Sequence, residues 1–179
     1  MGMGIIVCGL NGCGKSTLGK ALAKELGFHF IDIEDLYFTR TSTDAPYADP
    51  RSRKEVEELL LDEVRKQEHF VFSAIKGDYG EDLQKHYQYA VVIEVPKDIR
   101  TQRIRNRSYQ KFGSRMLEGG DLYEAEERFF HLAQSRTESY YAHWLQSLDC
   151  PVIRVDGTKS IDENIHFIIN QIHTHQPSL

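Results

Sequence analysis

Glycine, lysine and hydroxyl side chains near the amino terminus follow the pattern G-x-x-x-x-G-K-[ST], which is typical of a phosphate-binding loop. Glycines lack a Cβ, so backbone N–H groups can turn inward around an anion, and the following helix adds its own unpaired N–H groups. Lys15 is expected to reach the β- and γ-phosphates of a nucleoside triphosphate, and the Ser16 hydroxyl to ligate Mg²⁺. The nucleotide-binding residues predicted in this loop are Gly9, Asn11, Gly12, Cys13, Gly14, Lys15, Ser16 and Thr17.

Three carboxylates, Asp32, Glu34 and Asp35, follow the second predicted strand. Ligands of open α/β sheets bind at the carboxyl ends of strands, so these acids are expected to face the γ-phosphate and a small acceptor together. Asp32 would hold Mg²⁺ through water and could orient an acceptor hydroxyl, while Glu34 has the longer side chain with which to contact that hydroxyl. The competing interpretation is that these acids cap the short helix that follows.

Apolar runs alternate with helical patterns along the chain, which predicts an α/β fold with a parallel sheet covered on both faces. The stripe of apolar residues from Leu122 to Leu148 predicts one long helix, preceded by a capping box at Asp121 and Glu124. Another helix is expected to begin at Asp49-Pro50. The predicted strands are Ile5–Cys8, Phe28–Ile31, His69–Ile75, Tyr89–Val95 and Pro151–Val155.

The third predicted strand ends Phe72-Ser73-Ala74-Ile75-Lys76, without a carboxylate. AAA-type ATPases and many other P-loop ATPases carry acidic residues after a later strand, and one of them holds Mg²⁺. The sequence therefore favours a phosphotransferase over a mechanical or regulatory ATPase.

The order of elements, the early glycine loop and an arginine-bearing segment between two helices resemble the small P-loop kinases, which include adenylate, shikimate and gluconate kinases. The resemblance covers nearly the whole chain and implies a single domain over residues 1–179. It implies a three-layer fold whose five-stranded parallel sheet has the order 2-3-1-4-5, with ATP and Mg²⁺ as cofactors. It also implies a substrate-side segment over residues 33–66 and a mobile lid over residues 107–121.

Three stretches are most similar to gluconokinase. The segment 30–36 is similar to F-x-D-G-D-x-L, the segment 73–79 to S-A-L-K-x-x-Y, and the segment 103–107 to R-L-x-x-R. The sequence departs from that family at Ile33, which replaces a glycine, and at Glu34, which replaces an aspartate. Polar sites discriminate strongly between substrates, so these changes leave the acceptor open within the phosphotransferase class.

Carried over residue by residue, the resemblance assigns roles to matching positions. The expected catalytic residues are Lys15, Asp32, Glu34 and Arg107, and the expected metal ligands are Ser16 and Asp32. Arg107 and the loop Asp156-Gly157-Thr158 are expected to contact the nucleotide. The expected acceptor-binding residues are Asp32, Glu34, Arg53, Lys76, Arg115 and Arg136.

For several of these positions a structural role competes with the functional one. Lys76 could be an ordinary surface lysine, Arg136 could form an ion pair, and Asp156-Gly157 could be a plain turn. Arg100 and Arg105 are expected to form a solvated helix face. The helical spacing of Tyr140, Tyr141 and Trp144 predicts core positions.

Two other functions remain open. Nucleoside monophosphate kinases usually carry an arginine three residues after the position of Asp35, where this chain has Phe38, although Arg40, Arg51 and Arg53 could substitute for it. The second alternative is a nucleotide-binding switch whose hydrolysis drives a protein partner.

Length, charge and cysteine content limit the classes of function that remain. The 179 residues suit one domain, and the formal net charge of -5 argues against a general nucleic-acid or acidic-membrane binder. Three cysteines, at 8, 13 and 150, have no metal-ligand spacing, which indicates reduced thiols in a cytosolic protein. We expect a cytoplasmic monomer or homodimer that acts on a small-molecule acceptor, without a nucleic-acid or membrane partner.

Overall fold

The structure, a computed structural model, describes residues 2–38 and 50–175. Five parallel strands form one sheet in the order β2-β3-β1-β4-β5, which confirms the predicted topology. Each strand boundary lies within two residues of the predicted one. The strands are β1 Met3–Cys8, β2 His29–Asp32, β3 His69–Ser73, β4 Tyr87–Glu94 and β5 Val152–Asp156.

Helices connect successive strands and cover the sheet. The helices are α1 Lys15–Leu26, α2 Ile33–Tyr37, α3 Arg53–Lys66, α4 Glu81–Gln84, α5 Lys97–Phe112, α6 Tyr123–Ser135, α7 Ser139–Gln146 and α8 Ile161–His175. A short 3₁₀ helix, Gly113–Met116, follows α5. No described helix is both long and apolar enough to span a bilayer.

Two apolar clusters lie on opposite faces of the sheet. On one face α3 and α7 bury side chains such as Leu60 and Trp144 against Phe72. On the other face α1 and α8 bury Leu22 and Ile168. Because the central strands β3, β1 and β4 are buried on both sides, their sequences are nearly continuous apolar runs, whereas the edge strand β5 alternates between exposed and buried residues.

Helix α3 begins later than Asp49-Pro50. Its N-cap is Ser52, whose hydroxyl accepts from the Glu55 N–H, while the Glu55 carboxylate accepts from the Ser52 N–H. This reciprocal capping box satisfies two backbone donors that would otherwise lack partners, and it fixes where the helix begins. The prediction placed the start on the proline and overlooked the stronger cap.

The predicted long helix from Leu122 to Leu148 is two helices. Arg136 has an extended backbone (φ −72°, ψ 128°), which ends α6, and α7 begins at Ser139. The predicted capping box at Asp121 and Glu124 is also wrong: Leu122 is the N-cap of α6, and no side chain caps it. Asp121 accepts hydrogen bonds from Arg115 instead.

Candidate active site

The phosphate loop joins β1 to α1, and its glycines allow the tight backbone turn that the sequence predicts. Gly12 has φ +82°, and a Cβ there would lie 2.5 Å from the Arg100 carbonyl oxygen, so a larger residue would push the loop off α5. Gly14 is the N-cap of α1 and provides no side-chain cap. The first N–H groups of the helix are therefore not taken by a cap and can bind an anion.

A cavity of about 210 Å³ opens over this loop. It brings the loop together with one carboxylate of the acidic segment and with arginines of α5. Among the described residues, the side chains of Lys15 and Arg107 make no hydrogen bond or ion pair, so both cations are available to a phosphate chain. The cavity is lined by Asn11, Gly12, Gly14, Lys15, Ser16, Thr17, Glu34, Arg103, Ile104 and Arg107.

The acids after β2 divide into two positions. Asp32 ends the strand and is the N-cap of α2, with Oδ1 accepting from the Glu34 N–H at 3.0 Å. Glu34, one residue into the helix, lines the cavity over the loop. The capping interpretation therefore holds for one oxygen of Asp32, whereas the Glu34 carboxylate faces the place where phosphates would lie.

The edge of the sheet beside the loop fits a hydrated Mg²⁺. Ser16 lines the cavity, and Asp32 is paired in register with Ser73 on β3. The Ser73 hydroxyl is fully buried and has no hydrogen-bond partner. A Cβ placed on Gly19, one turn after Ser16, would lie 3.7 Å from the Ser73 Cβ, so this hydroxyl lies against the start of α1. Oxygen donors of this kind suit Mg²⁺ and its water ligands.

Ser73 was not singled out by the sequence reasoning. The available signal was a polar residue at the end of an otherwise apolar strand, in the segment where other P-loop proteins carry an acid.

Arg53 and Lys76, both predicted to bind the acceptor, meet around Asp78. The Lys76 Nζ lies 2.9 Å from Asp78 Oδ2, and Arg53 Nη2 lies 3.6 Å from Asp78 Oδ1. Arg53 also lies over the Tyr79 ring, with Cζ 5.1 Å from the centroid. Burial, followed by the proximity of Tyr37, raises the pKa of Tyr79 well above its usual value, so its hydroxyl stays protonated. These residues form a cluster separate from the phosphate cavity.

Arg115 lies in the predicted lid and points to Asp121 rather than to the cavity. Its guanidinium makes a bidentate contact, with Nε 3.0 Å from Oδ1 and Nη2 2.7 Å from Oδ2. This hydrogen bonding lowers the pKa of Asp121. Helix α5 continues to Phe112, so the first residues of the predicted lid are helical. The acceptor role of Arg115 and the bounds of the lid stay predictions.

The loop after β5 approaches the phosphate loop. The Asp156 carboxylate accepts from the N–H and the hydroxyl of Thr158, at 2.8 and 2.6 Å, which closes a tight turn and lowers the pKa of Asp156. A Cβ on Gly157 would lie 3.1 Å from the Cys13 carbonyl oxygen. Arg103 Nη2 donates to the Gly157 carbonyl at 3.0 Å. The turn thus lies beside the predicted nucleotide site, and its contact with adenine stays a prediction.

Arg100 corrects the expectation of a solvated helix face. It is only 5% exposed, and its guanidinium donates to the carbonyl oxygens of Asn11 and Val95. Arg105 is exposed as expected and pairs with Glu127. The burial of Arg100 follows from its position on the side of α5 that packs against the phosphate loop.

Arg136 contacts the same loop residue through its side chain. Its Nη1 donates to Asn11 Oδ1 at 2.8 Å, and its Cζ lies 4.9 Å from the centroid of Tyr140. Lys76 lies over the same ring, with Nζ at 4.8 Å. Tyr140 is 42% exposed and so is not the core residue that its spacing predicted, whereas Tyr141 and Trp144 are buried as expected. The structure therefore places Arg136 at the phosphate loop, without an ion pair in the described part of the chain.

The described residues contain no cluster of three or more His, Cys, Asp or Glu side chains arranged to bind a metal. The three cysteines are all free, as the sequence predicts, with Cys8 and Cys13 buried. Burial raises the pKa of Cys8 above its usual range, so this thiol stays protonated. Arg40 lies outside the described residues, and its predicted role is untouched by the structure.

The sequence profile of the AAA domain family matches residues 5–128. This match runs from β1 into α6 and so includes the phosphate loop, the acids after β2 and the arginines of α5.

Individual proteins are similar over nearly the full length. The uncharacterized protein YqaC of Bacillus subtilis is 28% identical over 176 residues, covering 94% of this chain and 96% of that protein. The adenylate kinase isoenzyme 6 homolog of Caenorhabditis elegans is 30% identical over 172 residues, covering 92% and 86%. Among solved structures, a shikimate kinase from Acinetobacter baumannii in complex with shikimate has a TM-score of 0.63 at 16% identity, covering 99% and 97%, a likeness of fold.

Proposed function

The chain belongs to the AAA domain family and to the small P-loop kinases of the adenylate, shikimate and gluconate kinase type, and on this premise we propose that it transfers the γ-phosphoryl group of ATP to a hydroxyl of a small metabolite. The relatives support a small-molecule kinase in general. The choice of a hydroxyl acceptor goes beyond them and is our proposal.

One observation carries the proposal. A carboxylate, Glu34, and two arginines, Arg103 and Arg107, line the same cavity as the phosphate loop. Phosphoryl transfer needs its reactants positioned and the charge on the transferred group neutralised, and little else from the protein. A cavity with cations on the donor side and a carboxylate facing them meets both needs.

Each group has a defined part in the reaction. The loop N–H groups and Lys15 hold the β- and γ-phosphates, and Arg107 neutralises charge on the group in transfer. The acceptor hydroxyl gives its proton to Glu34 as its oxygen bonds to the γ-phosphorus and the bond to ADP breaks. Asp32, fixed by its cap on α2, orients the acceptor and the water around the metal.

Ser16, Asp32 and the buried hydroxyl of Ser73 would surround Mg²⁺ and its water ligands. When bound, the ion would supply positive charge that offsets the charge of the phosphates. These protein residues would position the water ligands of the ion, while the nucleotide would supply its phosphate oxygens.

A nucleoside monophosphate acceptor is the second candidate. The relative from Caenorhabditis elegans, named as an adenylate kinase homolog, supports it through its 30% identity over most of both chains. The described residues supply Arg51 and Arg53 on the acceptor side, but Arg51 donates to the Leu36 carbonyl and Arg53 pairs with Glu57 and Asp78. Both would have to exchange these partners to clamp a phosphate, so we place the hydroxyl acceptor first.

A nucleotide-dependent switch is the third candidate function. AAA domain proteins include machines of that kind, but here β3 ends at Ser73 and the segment after it has no carboxylate before Asp78. A switch would show slow ATP turnover that a protein partner accelerates and that no metabolite changes.

The test is ADP release measured with ATP and Mg²⁺ across a panel of sugars, polyols, shikimate-like hydroxy acids and nucleoside monophosphates. We expect one hydroxylated compound to stimulate turnover, and the Lys15→Ala variant to lose that stimulation, which excludes a contaminating kinase. Stimulation by a nucleoside monophosphate alone would favour the second candidate. Tight ATP binding with no stimulation by any compound would count heavily against a small-molecule kinase.

A further inference from the structure

Arg100 is a buried cation without a carboxylate partner among the described residues. It is 5% exposed, whereas Arg105 on the same helix reaches solvent and pairs with Glu127. Placing an arginine inside a protein costs free energy unless its donors are satisfied and its charge is compensated. Both hydrogen-bond partners of Arg100 are neutral carbonyls, so a purely structural role explains little of its presence.

The two carbonyls belong to the phosphate loop and to the residue after β4. The Arg100 Nη1 donates to the Asn11 carbonyl at 3.1 Å, and Nε donates to the Val95 carbonyl at 3.3 Å. Asn11 is in the phosphate loop, and Val95 follows β4. The planar guanidinium therefore bridges the loop to the strand from which α5 begins.

Close packing places the same helix directly under the loop. Gly12 approaches the Arg100 backbone so tightly that a Cβ would lie 2.5 Å from its carbonyl oxygen and 2.9 Å from a side-chain carbon of Ile104. The loop and the first turns of α5 thus share one contact surface. A shift of the Asn11 carbonyl would tilt the peptide whose N–H belongs to Gly12, and with it the anion-binding groups that follow.

We propose that Arg100 is a positioning residue of the phosphate loop, which fixes the Asn11 carbonyl so that the N–H groups of Gly12, Gly14 and Lys15 point into the phosphate cavity. It does not touch the nucleotide. It acts on affinity through the loop backbone, and its unpaired positive charge adds to the attraction for an anion.

Arg136 fixes the other half of Asn11. It donates to the side-chain oxygen, Oδ1, from the junction of α6 and α7. Arg100 therefore holds the backbone of Asn11 and Arg136 holds its side chain. A substitution at Asn11 can remove the second contact without removing the first. Asn11→Ala removes the oxygen that Arg136 uses and leaves the carbonyl that Arg100 uses.

The experiment measures the Kd of Mg·ADP by calorimetry for the wild-type chain, Arg100→Lys and Arg100→Met. A hydrogen bond from a charged donor contributes about 1.5–3 kcal/mol, so we expect either variant to weaken binding about tenfold or more. Lysine keeps the charge but cannot bridge two carbonyls as a planar fork does. Arg105→Lys, on the same helix and exposed, is the matched control and should bind as the wild type does.

Wild-type affinity in Arg100→Lys would overturn the proposal, because charge alone would then suffice. Thermal unfolding without ligand separates positioning from folding: we expect both variants to be folded, with midpoints within a few degrees of the wild type. If both variants failed to fold, Arg100 would be a core residue and the proposal would fall.

A double-mutant cycle tests the route through the backbone. In the Asn11→Ala background, Arg100→Lys should weaken Mg·ADP binding by the same factor as in the wild type, while Arg136→Lys should weaken it no further. Loss of the Arg100→Lys effect in that background would contradict the proposal. Because only nucleotide is used, the outcome does not depend on which acceptor the enzyme phosphorylates.

Discussion

Asp32 and Glu34 differ in what holds them, and this difference separates their roles. Asp32 is fixed as a helix cap through Oδ1, whereas Glu34 lies one residue into the helix with its carboxylate at the phosphate cavity. A fixed carboxylate beside Ser73 suits a metal's water shell, and one that faces the cavity suits proton transfer from an acceptor.

We predict that Glu34→Gln and Asp32→Asn both lower kcat by about 10²-fold or more, since each removes a carboxylate used in the reaction. Asparagine keeps an oxygen that can cap α2, and ATP should still bind to both variants. The two differ in their dependence on Mg²⁺: Asp32→Asn should need more of it for half-maximal turnover, and Glu34→Gln should not. Near-normal turnover in Asp32→Asn would assign the acidic role to Glu34 alone.

For Ser73→Ala we predict different effects on stability without ligand and with Mg·ADP. The buried Ser73 hydroxyl has no hydrogen-bond partner among the described residues, and an unsatisfied buried polar group costs about 1–3 kcal/mol. Ser73→Ala should therefore be as stable as the wild type or more so without ligand, measured by urea unfolding. With Mg·ADP present, the variant should gain less stability than the wild type. Equal gains would mean that the hydroxyl has no part in the metal's water shell.

Among the elements, α3 depends on its first turn. Acidic side chains in its first turn and basic ones in its last turn interact favourably with the helix dipole, and the capping box at Ser52 sets where the helix begins. Because α3 buries Val56, Leu60 and Val64 against the sheet, loosening its first turn should weaken core packing as well as the end of the helix.

Ser52→Ala should lower the free energy of unfolding by about 1 kcal/mol at neutral pH. Hydrogen bonds from Ser52 lower the pKa of Glu55 in the folded chain. A lowered pKa means that this contribution is present above the pKa of the unfolded chain and is lost as the pH falls through the folded value. The effect of the substitution should therefore shrink in acid, and an effect of the same size at both pH values would contradict the role of Glu55. Ser160→Ala, at the matching cap of α8, is the control for a box away from α3.

The break between α6 and α7 places a cation at the loop. Had the chain continued as one helix, Arg136 would have stayed in register with the α6 stripe; its extended backbone lets it reach Asn11, 125 positions away in sequence. Helix periodicity continues across the break, so spacing alone could not reveal it.

For the whole molecule, the parallel sheet and the loop could be predicted because they follow from local patterns. Apolar runs separated by helices imply parallel strands, and the resemblance supplied the order that the structure confirms. The burial of Arg100 could not be predicted, because arginine on a helix is usually solvated and its partner Asn11 lies 89 positions away. Likewise the Lys76 and Arg53 pairing through Asp78 depends on tertiary contacts that no spacing encodes.

The phosphate loop contacts the segments that follow β3 and β5 as well as α5, so its ligand should stabilise several parts of the molecule at once. The Gly9 N–H donates to the Ile75 carbonyl after β3, Gly12 packs on α5, and Cys13 lies beside the turn after β5. A ligand that binds only the folded chain adds about 2.7 kcal/mol at 100 times its Kd. For a chain of this size, that free energy corresponds to roughly 5–10 °C in Tm.

We predict that Mg·ADP at that excess raises the Tm of the wild-type chain by roughly 5–10 °C, measured by calorimetry or tryptophan fluorescence. Lys15→Ala should keep the ligand-free Tm, because the Lys15 side chain makes no hydrogen bond or ion pair within the described residues, yet it should lose turnover and most of the shift. A full shift in Lys15→Ala would show that the lysine does not contact the phosphates of ADP. A lowered ligand-free Tm would show instead that it supports the fold, and its assignment as a donor-side cation would fail.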